Sequence, residues 1–384
     1  MFKSLMAAGV LLLCSASAGA LTANEERTAL TGRLVLALVN EDFAAAEASY
    51  TPYLSPRVRT PDGAPTLVVL ANGLEYLAKQ TRNNDSAYRR QLEKAGRWRK
   101  AYPNSSAAWI FAAKVEMQQA WELRGSKLAK DVPEENWRRI RTHANNAREL
   151  LLAAPAKVRN TPWWYTEMIL ANRLAAVDKF GELAELLDEG IRRYPDYTPL
   201  YQIAAVDLLP KWGGSYAQVD ELVMRATRKS SDRQMLYAEI YSGLIYFDNQ
   251  LFRNSLLRWE KLKPAFETLV QRYPTDWNKS RFAYAACLAN DRVTTRALLM
   301  GLDARLDVTA WANNSPEAVS YCQNLAASAA PAGVPAANAQ LQHEAAQTPL
   351  SETERAALDK AAQEDSKRML EGVIKKAREG EHRM

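Results

Sequence analysis

Histidines are the first residues to consider for metal or acid–base chemistry, and the 384-residue chain contains three of them. His143 lies inside a helical pattern, whereas His343 and His382 lie near the C-terminus. A metal site needs several histidine, cysteine or carboxylate ligands that converge. The positions three and four residues after His143 are Asn146 and Ala147, so its own helix supplies no second ligand. We therefore expect a solitary histidine at the surface or between helices, and no metal or other cofactor.

Nucleophilic catalysis has no recognisable motif in this sequence. It contains no Gly-x-Ser-x-Gly elbow, no cysteine beside a suitable histidine and no phosphate-binding glycine loop. Gly213, Gly214 and Ser215 could form an anion-binding turn, with Ser215 as the N-cap of a following helix. The simpler interpretation is structural: the two glycines make a sharp turn, and Trp212 fills the gap between helices.

Paired carboxylates would be needed by an enzyme that cleaves glycans. Glu182, Glu185 and Glu189 are close in sequence, and their spacing places them along one exposed stripe of a helix. The catalytic carboxylates of glycosidases face each other across about 5 to 9 Å. A stripe on one helix does not provide this geometry, so the sequence favours a protein that is not an enzyme.

Cys287 and Cys322 are the only cysteines after the first twenty residues. An even number of cysteines permits a disulfide in an oxidising compartment. Two interpretations stay open: a disulfide that ties the last helix to the preceding repeats, or two small buried side chains that are not bonded.

Residues 1–20 are typical of a secretory signal peptide, with Lys3, an apolar stretch over 5–13 and a small-residue cleavage site at Ala18-Gly19-Ala20. The apolar stretch is shorter than the about 20 residues of a spanning helix. Leu13 precedes Cys14, where a lipid-attachment motif requires a small residue, so a lipoprotein is not expected. We predict a periplasmic or secreted protein without a transmembrane segment in the mature chain.

The composition, with 47% hydrophobic residues, 24% charged residues and only 16 glycines, is typical of a folded all-α protein. The net charge is +6. Basic clusters at Arg89-Arg90, 97–100 and 138–141 are either solvated helix faces or a surface for an acidic partner. Export from the cytoplasm makes nucleic acid an unexpected partner.

Two recurring signals predict helical hairpins between residues 24 and 311. Polar turns before an aromatic residue separate paired helices, as at Asn40–Phe43 and Asp178–Phe180, and Asn290–Arg292 is a weaker copy without the aromatic residue. A Tyr-Pro pair ends a basic amphipathic helix three times, at Tyr102, Tyr194 and Tyr273, because proline cannot continue a helix. This pattern predicts an all-α solenoid of about six to seven stacked hairpins.

Several segments resemble known families. DKFGELAELLDEGIRRYPDYTPLY is similar to the second helix of a tetratricopeptide repeat (TPR) and its exit, and the irregular period indicates degenerate TPR-like or Sel1-like repeats. The Pro-Lys-Trp-Gly-Gly-Ser turn at Pro210–Ser215, with LYAEIYSGL and RYPTDWNKSRFAYAACLANDRVTT, resembles an uncharacterised bacterial family of unknown function over about residues 30–310. The resemblance implies the fold and transfers no catalytic residue.

The C-terminal part of the chain differs in composition. Residues 312–350 are predicted to be an Ala/Pro-rich linker, and Ser351–Glu354 is a capping box that starts an amphipathic helix over 351–380. One face of this helix carries Met369, Leu370, Val373, Ile374 and Ala377. The helix either docks on the repeats as a cap, stays solvated until it meets a partner, or pairs between copies.

These patterns predict an exported, non-catalytic scaffold in the bacterial envelope that binds a protein or peptide. The alternative is an envelope hydrolase or lyase that acts on a glycan or an anionic polymer. Stacked hairpins present a concave surface to partners. We expect exposed anchor residues on the inner helices, namely Arg89, Arg97, Trp164, Tyr201 and Tyr241.

Overall fold

The computed structural model describes residues 23–125, 129–175, 177–248, 250–311 and 316–328. These residues form α-helices and short 3-10 turns, and their only β-type pairing is an isolated bridge between Arg59 and Pro65. The helices are α1 Ala23–Val39, α2 Phe43–Tyr50, α3 Thr66–Lys79, α4 Asp85–Ala101, α5 Ser106–Arg124, α6 Glu134–Ala153, α7 Ala156–Arg159, α8 Pro162–Asn172, α9 Lys179–Arg193, α10 Thr198–Asp207, α11 Tyr216–Lys229, α12 Arg233–Phe247, α13 Leu251–Asn254, α14 Trp259–Arg272, α15 Asp276–Leu288, α16 Arg292–Leu302 and α17 Pro316–Ala327.

The helices form two rows, and this arrangement confirms the predicted all-α solenoid of helical hairpins. The inner row is α1, α3, α5, α8, α10, α12 and α15, each of which packs on the next. The outer row is α2, α4, α6, α9, α11, α14 and α16, each of which packs on an inner helix. The last helix, α17, packs on α16 and α15.

Side-chain caps explain why the predicted turns lie where they do. The carboxylates of Asp42, Asp178 and Asp291 accept hydrogen bonds from the amides three residues later, at 2.9, 3.2 and 3.0 Å. Each aspartate thereby satisfies an amide that has no partner at a helix N-terminus. The Tyr-Pro pairs end α4, α9 and α14, as predicted.

The central inner helix α8 is buried on nearly every side, whereas the outer helix α4 buries one stripe. Every residue of α8 except Leu170 is buried. In the longer outer helix α4, only Ala87, Ala95 and Trp98 are buried. A helix that is apolar all round belongs in a protein interior, and an amphipathic helix belongs at its surface.

The Trp-Gly-Gly-Ser turn has a structural role in this fold. Gly213 has a φ of +91°, in the left-handed region that favours glycine. A Cβ on Gly214 would lie 2.2 Å from the Leu208 carbonyl oxygen, so the chain approaches itself too closely for any other residue. Ser215 caps α11 by accepting a hydrogen bond from the Gln218 amide at 3.3 Å.

Neighbouring side chains fill the space around this turn. The half-buried Trp212 ring lies 6.1 Å from the Trp121 ring, between centroids, and the Arg173 guanidinium lies 5.4 Å from the Trp212 centroid. Lys211 donates a hydrogen bond to the Phe247 carbonyl at 2.9 Å. Trp212 therefore fills the gap between helices, as the structural interpretation predicts.

The predicted linker 312–350 is wrong over 316–327, where the chain forms α17. Ala318, Cys322 and Ala326 are buried along one face of this helix, at four-residue spacing. Alanine is the best helix former, so an Ala-rich segment with this spacing favours a helix once it has a surface to pack on. A disulfide between Cys322 and Cys287, with Cα atoms 5.6 Å apart, holds α17 on α15.

Residues 1–20, the remaining part of the predicted linker and the predicted helix 351–380 lie outside the described residues. No helix within the described ranges is both long and apolar enough to cross a membrane.

Candidate partner-binding surface

The loop between α2 and α3 packs on part of the inner row of the solenoid. Arg59, in the loop between α2 and α3, reaches Glu239 of α12 through two hydrogen bonds of 2.5 and 3.2 Å. It also donates to the Thr198 hydroxyl of α10 at 3.2 Å. Arg59 and Glu239 are both largely buried. The loop is therefore held on the inner helices α10 and α12 by buried polar contacts.

The same loop contacts the last inner helix, more than two hundred residues further along the chain. Asn278 of α15 donates a hydrogen bond to the Asp62 carbonyl at 3.0 Å. The Tyr273 ring lies directly against Gly63, where a Cβ would come within 2.5 Å of it. Arg27 of α1 pairs with the Asp62 carboxylate and lies 5.5 Å from the Trp277 ring centroid. The first hairpin is thereby joined to the far end of the inner row.

Three of the five predicted anchor residues are buried, so their predicted exposure is wrong. Trp164, Tyr201 and Tyr241 belong to α8, α10 and α12, which neighbouring helices and the loop enclose. Their polar atoms form hydrogen bonds within the protein. The Trp164 indole donates to the Leu151 carbonyl at 2.8 Å. The Tyr201 hydroxyl donates to the Pro195 carbonyl at 2.8 Å, and the Tyr241 hydroxyl donates to the Asp220 carboxylate at 2.9 Å. These side chains stabilise the core.

The two predicted arginines lie on the outer helix α4, not on the inner row. Arg97 forms hydrogen bonds of 3.1 and 2.8 Å to the Glu41 carboxylate, which tie α4 to the first hairpin. Arg89 is exposed and lies one turn before Leu92. The structure therefore does not assemble the five predicted anchors into one site.

A groove over α5 has a volume of about 480 Å³ and lies between α4 and α6. Its lining consists of Leu92 and Arg99 from α4, Trp109 and Glu116 from α5, and Asn146, Glu149, Leu150 and Ala153 from α6. The lining combines apolar side chains with a small number of polar groups, as ligand sites usually do. We call it the α5 groove.

Arg99 is the most distinctive residue of the α5 groove. Its guanidinium lies 4.8 Å from the Trp109 ring centroid, and its Nε atom is buried without a hydrogen-bond partner. Within the described parts of the chain, no carboxylate lies within 4 Å of it. Burial lowers the pKa of Arg99 below its usual value. A half-buried cation without a counter-charge is a favourable partner for an anionic group.

A second cleft, of about 310 Å³, lies beside the loop between α2 and α3. Its three arginines are already paired, Arg57 with Asp196, Arg59 with Glu239 and Arg272 with Asp232. The first two pairs join the loop to the helices beside it, and the third joins α14 to the N-terminus of α12. Together they leave little charge for a ligand. The α5 groove is therefore the stronger candidate.

A hydrogen-bonded chain of polar side chains lies at the floor of the α5 groove. The Tyr88 hydroxyl donates to Glu116 Oε1 at 3.0 Å, and His143 Nδ1 lies 2.7 Å from Glu116 Oε2. Burial, together with the Glu116 charge, raises the pKa of the Tyr88 hydroxyl. The pattern of residues around His143 could not reveal this contact, because Glu116 lies on a different helix. No group of three potential metal ligands occurs in the described ranges.

The helix α4 is strongly basic as a whole. It carries six basic residues and two acidic ones, and Arg89, Arg90 and Lys100 are exposed, although only Arg99 among its basic residues lines the groove. A basic surface attracts acidic partners and accelerates their association.

Comparison with protein-family models, curated proteins and solved structures finds no match to this chain.

Proposed function

We propose that the protein is an exported, non-catalytic helical scaffold, which binds an acidic, partly apolar segment of a protein partner in the α5 groove. The observation that supports this most directly is the state of Arg99. It is half-buried against Trp109, faces the groove and lacks a carboxylate partner in the described residues. A partner carboxylate would supply the missing counter-charge.

The rest of the groove suits an amphipathic helix or an extended segment. Leu92, Leu150 and Ala153 provide apolar contacts, and Asn146 can both donate and accept hydrogen bonds. Recognition of a helix in a groove uses apolar anchors on one face, with polar contacts at the rim. Trp and Arg are the residue types that most often dominate the binding energy at such sites.

Export remains part of the proposal and rests on residues 1–20 of the sequence. The Cys287–Cys322 disulfide supports it, because disulfides persist in oxidising compartments and are rare in the cytosol.

The proposal is tested by capture of envelope proteins on the immobilised mature chain, compared with Arg99→Glu and Arg228→Glu variants. Arg228 is exposed on α11, so its substitution makes the same charge change away from the groove. We expect the same defined protein to be retained by the wild type and by Arg228→Glu, and retention to fall at least tenfold with Arg99→Glu. Equal retention by all three chains contradicts the proposal.

A second candidate function, an envelope hydrolase or lyase that acts on a glycan or anionic polymer, is favoured by one observation. A histidine held by a buried carboxylate is an arrangement used for general bases, and His143 has this relation to Glu116. Under this alternative, the wild type releases new reducing ends from such a polymer and Glu116→Gln does not. Equal rates for the two chains would exclude the role of this pair.

A further inference from the structure

The outer helix α16 has an apolar face that nothing in the described chain covers. Val293 and Met300 are 80% and 75% exposed, the highest values among the large hydrophobic residues described. Ala297 between them is also exposed. Positions separated by four and then three residues lie on one face of a helix. The opposite side of α16 packs on α15 and buries Thr295 and Leu302.

The chain leaves the described structure beside this face. The carbonyl of Ser328, the last described residue, accepts a hydrogen bond from Arg292, which precedes Val293. Arg296 donates to the Ala326 carbonyl at 2.6 Å. The 56 residues from 329 to 384 therefore begin next to α16.

These residues include the amphipathic helix predicted over 351–380. Its apolar stripe contains Met369, Val373 and Ala377 at four-residue spacing. The intervening residues, 329–350, would span roughly 25 Å if they behave as a flexible linker. A tether of this length gives the helix a local concentration in the millimolar range, which favours binding within the same chain over binding to a second copy.

We propose that the C-terminal helix binds the exposed face of α16 in the same chain and caps the end of the solenoid. Met369 and Val373 would pack on Val293 and Met300, and two exposed apolar stripes would be removed from water together. The terminal repeats of solenoid proteins need such a cover, because their outermost face has no following repeat.

Hydrogen exchange of the full mature chain tests this proposal. We expect slow amide exchange over residues 366–378 at every protein concentration, and at least tenfold faster exchange there in Met300→Asp. Met224→Asp is the matched control, since Met224 is 47% exposed on α11 and its change should leave the tail protected. Exchange in α5, which should be equal in all three chains, verifies that each variant is folded.

Three outcomes would overturn the proposal. Fast exchange over 366–378 in the wild type would show an undocked tail. Protection that rises with protein concentration would assign the face to a second copy. Protection that Met300→Asp does not change would place the tail elsewhere on the molecule. None of these results depends on the partner of the α5 groove.

Discussion

Gly214 determines the path of the chain between α10 and α11, because a Cβ there would lie 2.2 Å from the Leu208 carbonyl oxygen. We predict that Gly214→Ala lowers the free energy of unfolding by about 1–3 kcal/mol, the usual cost of forcing atoms into a packed region. Urea denaturation of the protein measures this change.

Gly96 provides the control for that substitution. It lies inside α4 with no atom within 4 Å of its ideal Cβ position. Gly96→Ala should stabilise the protein by about 0.5–1 kcal/mol, because alanine is the better helix former. If Gly214→Ala were as stable as Gly96→Ala, the close approach at the turn would be refuted.

Lys114 is buried beside two carboxylates. Its Nζ lies 2.9 Å from Glu167 Oε1, and both side chains are almost fully enclosed. Burial alone would lower the pKa of Lys114, but Glu167 and Glu75 outweigh it and raise the pKa. Burial raises the pKa of Glu167. Removal of the ammonium group would leave a buried carboxylate without its cation.

We predict that Lys114→Met costs about 3–5 kcal/mol of unfolding free energy near pH 7. A carboxyl group whose pKa is raised in the folded state adds stability as the pH falls towards its unfolded pKa. The loss in Lys114→Met should therefore shrink between about pH 7 and pH 4.5, because the unfolded pKa of glutamate is about 4.3. Adding Glu167→Gln to Lys114→Met should remove this pH dependence. A loss of unfolding free energy in Lys114→Met that stays constant with pH would contradict the prediction. Denaturation at several pH values gives the comparison.

The loop between α2 and α3 packs on the inner row, and Arg59 is its main charged contact. Arg59→Ala would remove the cation that is paired with the buried Glu239 and leave it only the longer-range charge of Arg281, so we predict a loss of about 3–5 kcal/mol of unfolding free energy. Glu239→Ala should lower the free energy of unfolding by a similar amount. The loss in the double variant should be about 1–3 kcal/mol smaller than the sum of the two single losses. A double-mutant cycle by chemical denaturation measures this coupling. Additive losses would mean that the pair does not hold the loop.

Most helix boundaries could be predicted from the sequence because they depend on local chemistry. The N-caps Asp42, Asp178 and Asp291 and the Tyr-Pro pairs act within a few residues of the helix ends that they define. The helix α17 also had a local signal, the spacing of Ala318, Cys322 and Ala326, which the Ala/Pro-rich composition obscured.

The burial of Trp164, Tyr201 and Tyr241 had a weaker local signal. The segment Trp163–Ile169 is aromatic or apolar on nearly every side, which is typical of an enclosed helix. No local signal in the sequence predicts the loop contacts or the α5 groove. Arg59 meets Glu239 across 180 residues, and Arg99, Trp109 and Asn146 come together only when three helices pack. Such juxtapositions depend on the superhelical path rather than on spacing along the chain.

For the whole molecule, the contacts of the loop with α10, α12 and α15 move the expected partner surface away from the inner row. The outer helices and the grooves between them stay available for partners. One of these grooves, over α5, contains the cation of Arg99, with which no carboxylate of the described residues pairs.

Hydrogen exchange of the protein, with and without the captured partner, tests most directly whether the partner binds in the α5 groove and not on the inner row. We predict slower exchange on binding in α4, α5 and α6 around Leu92, Trp109 and Asn146, and no change in α10, α12 or the loop that contains Arg59. This result would place the partner in the α5 groove. Protection of the inner helices, or faster exchange in the loop, would show instead that the loop is displaced and that the partner occupies the concave face.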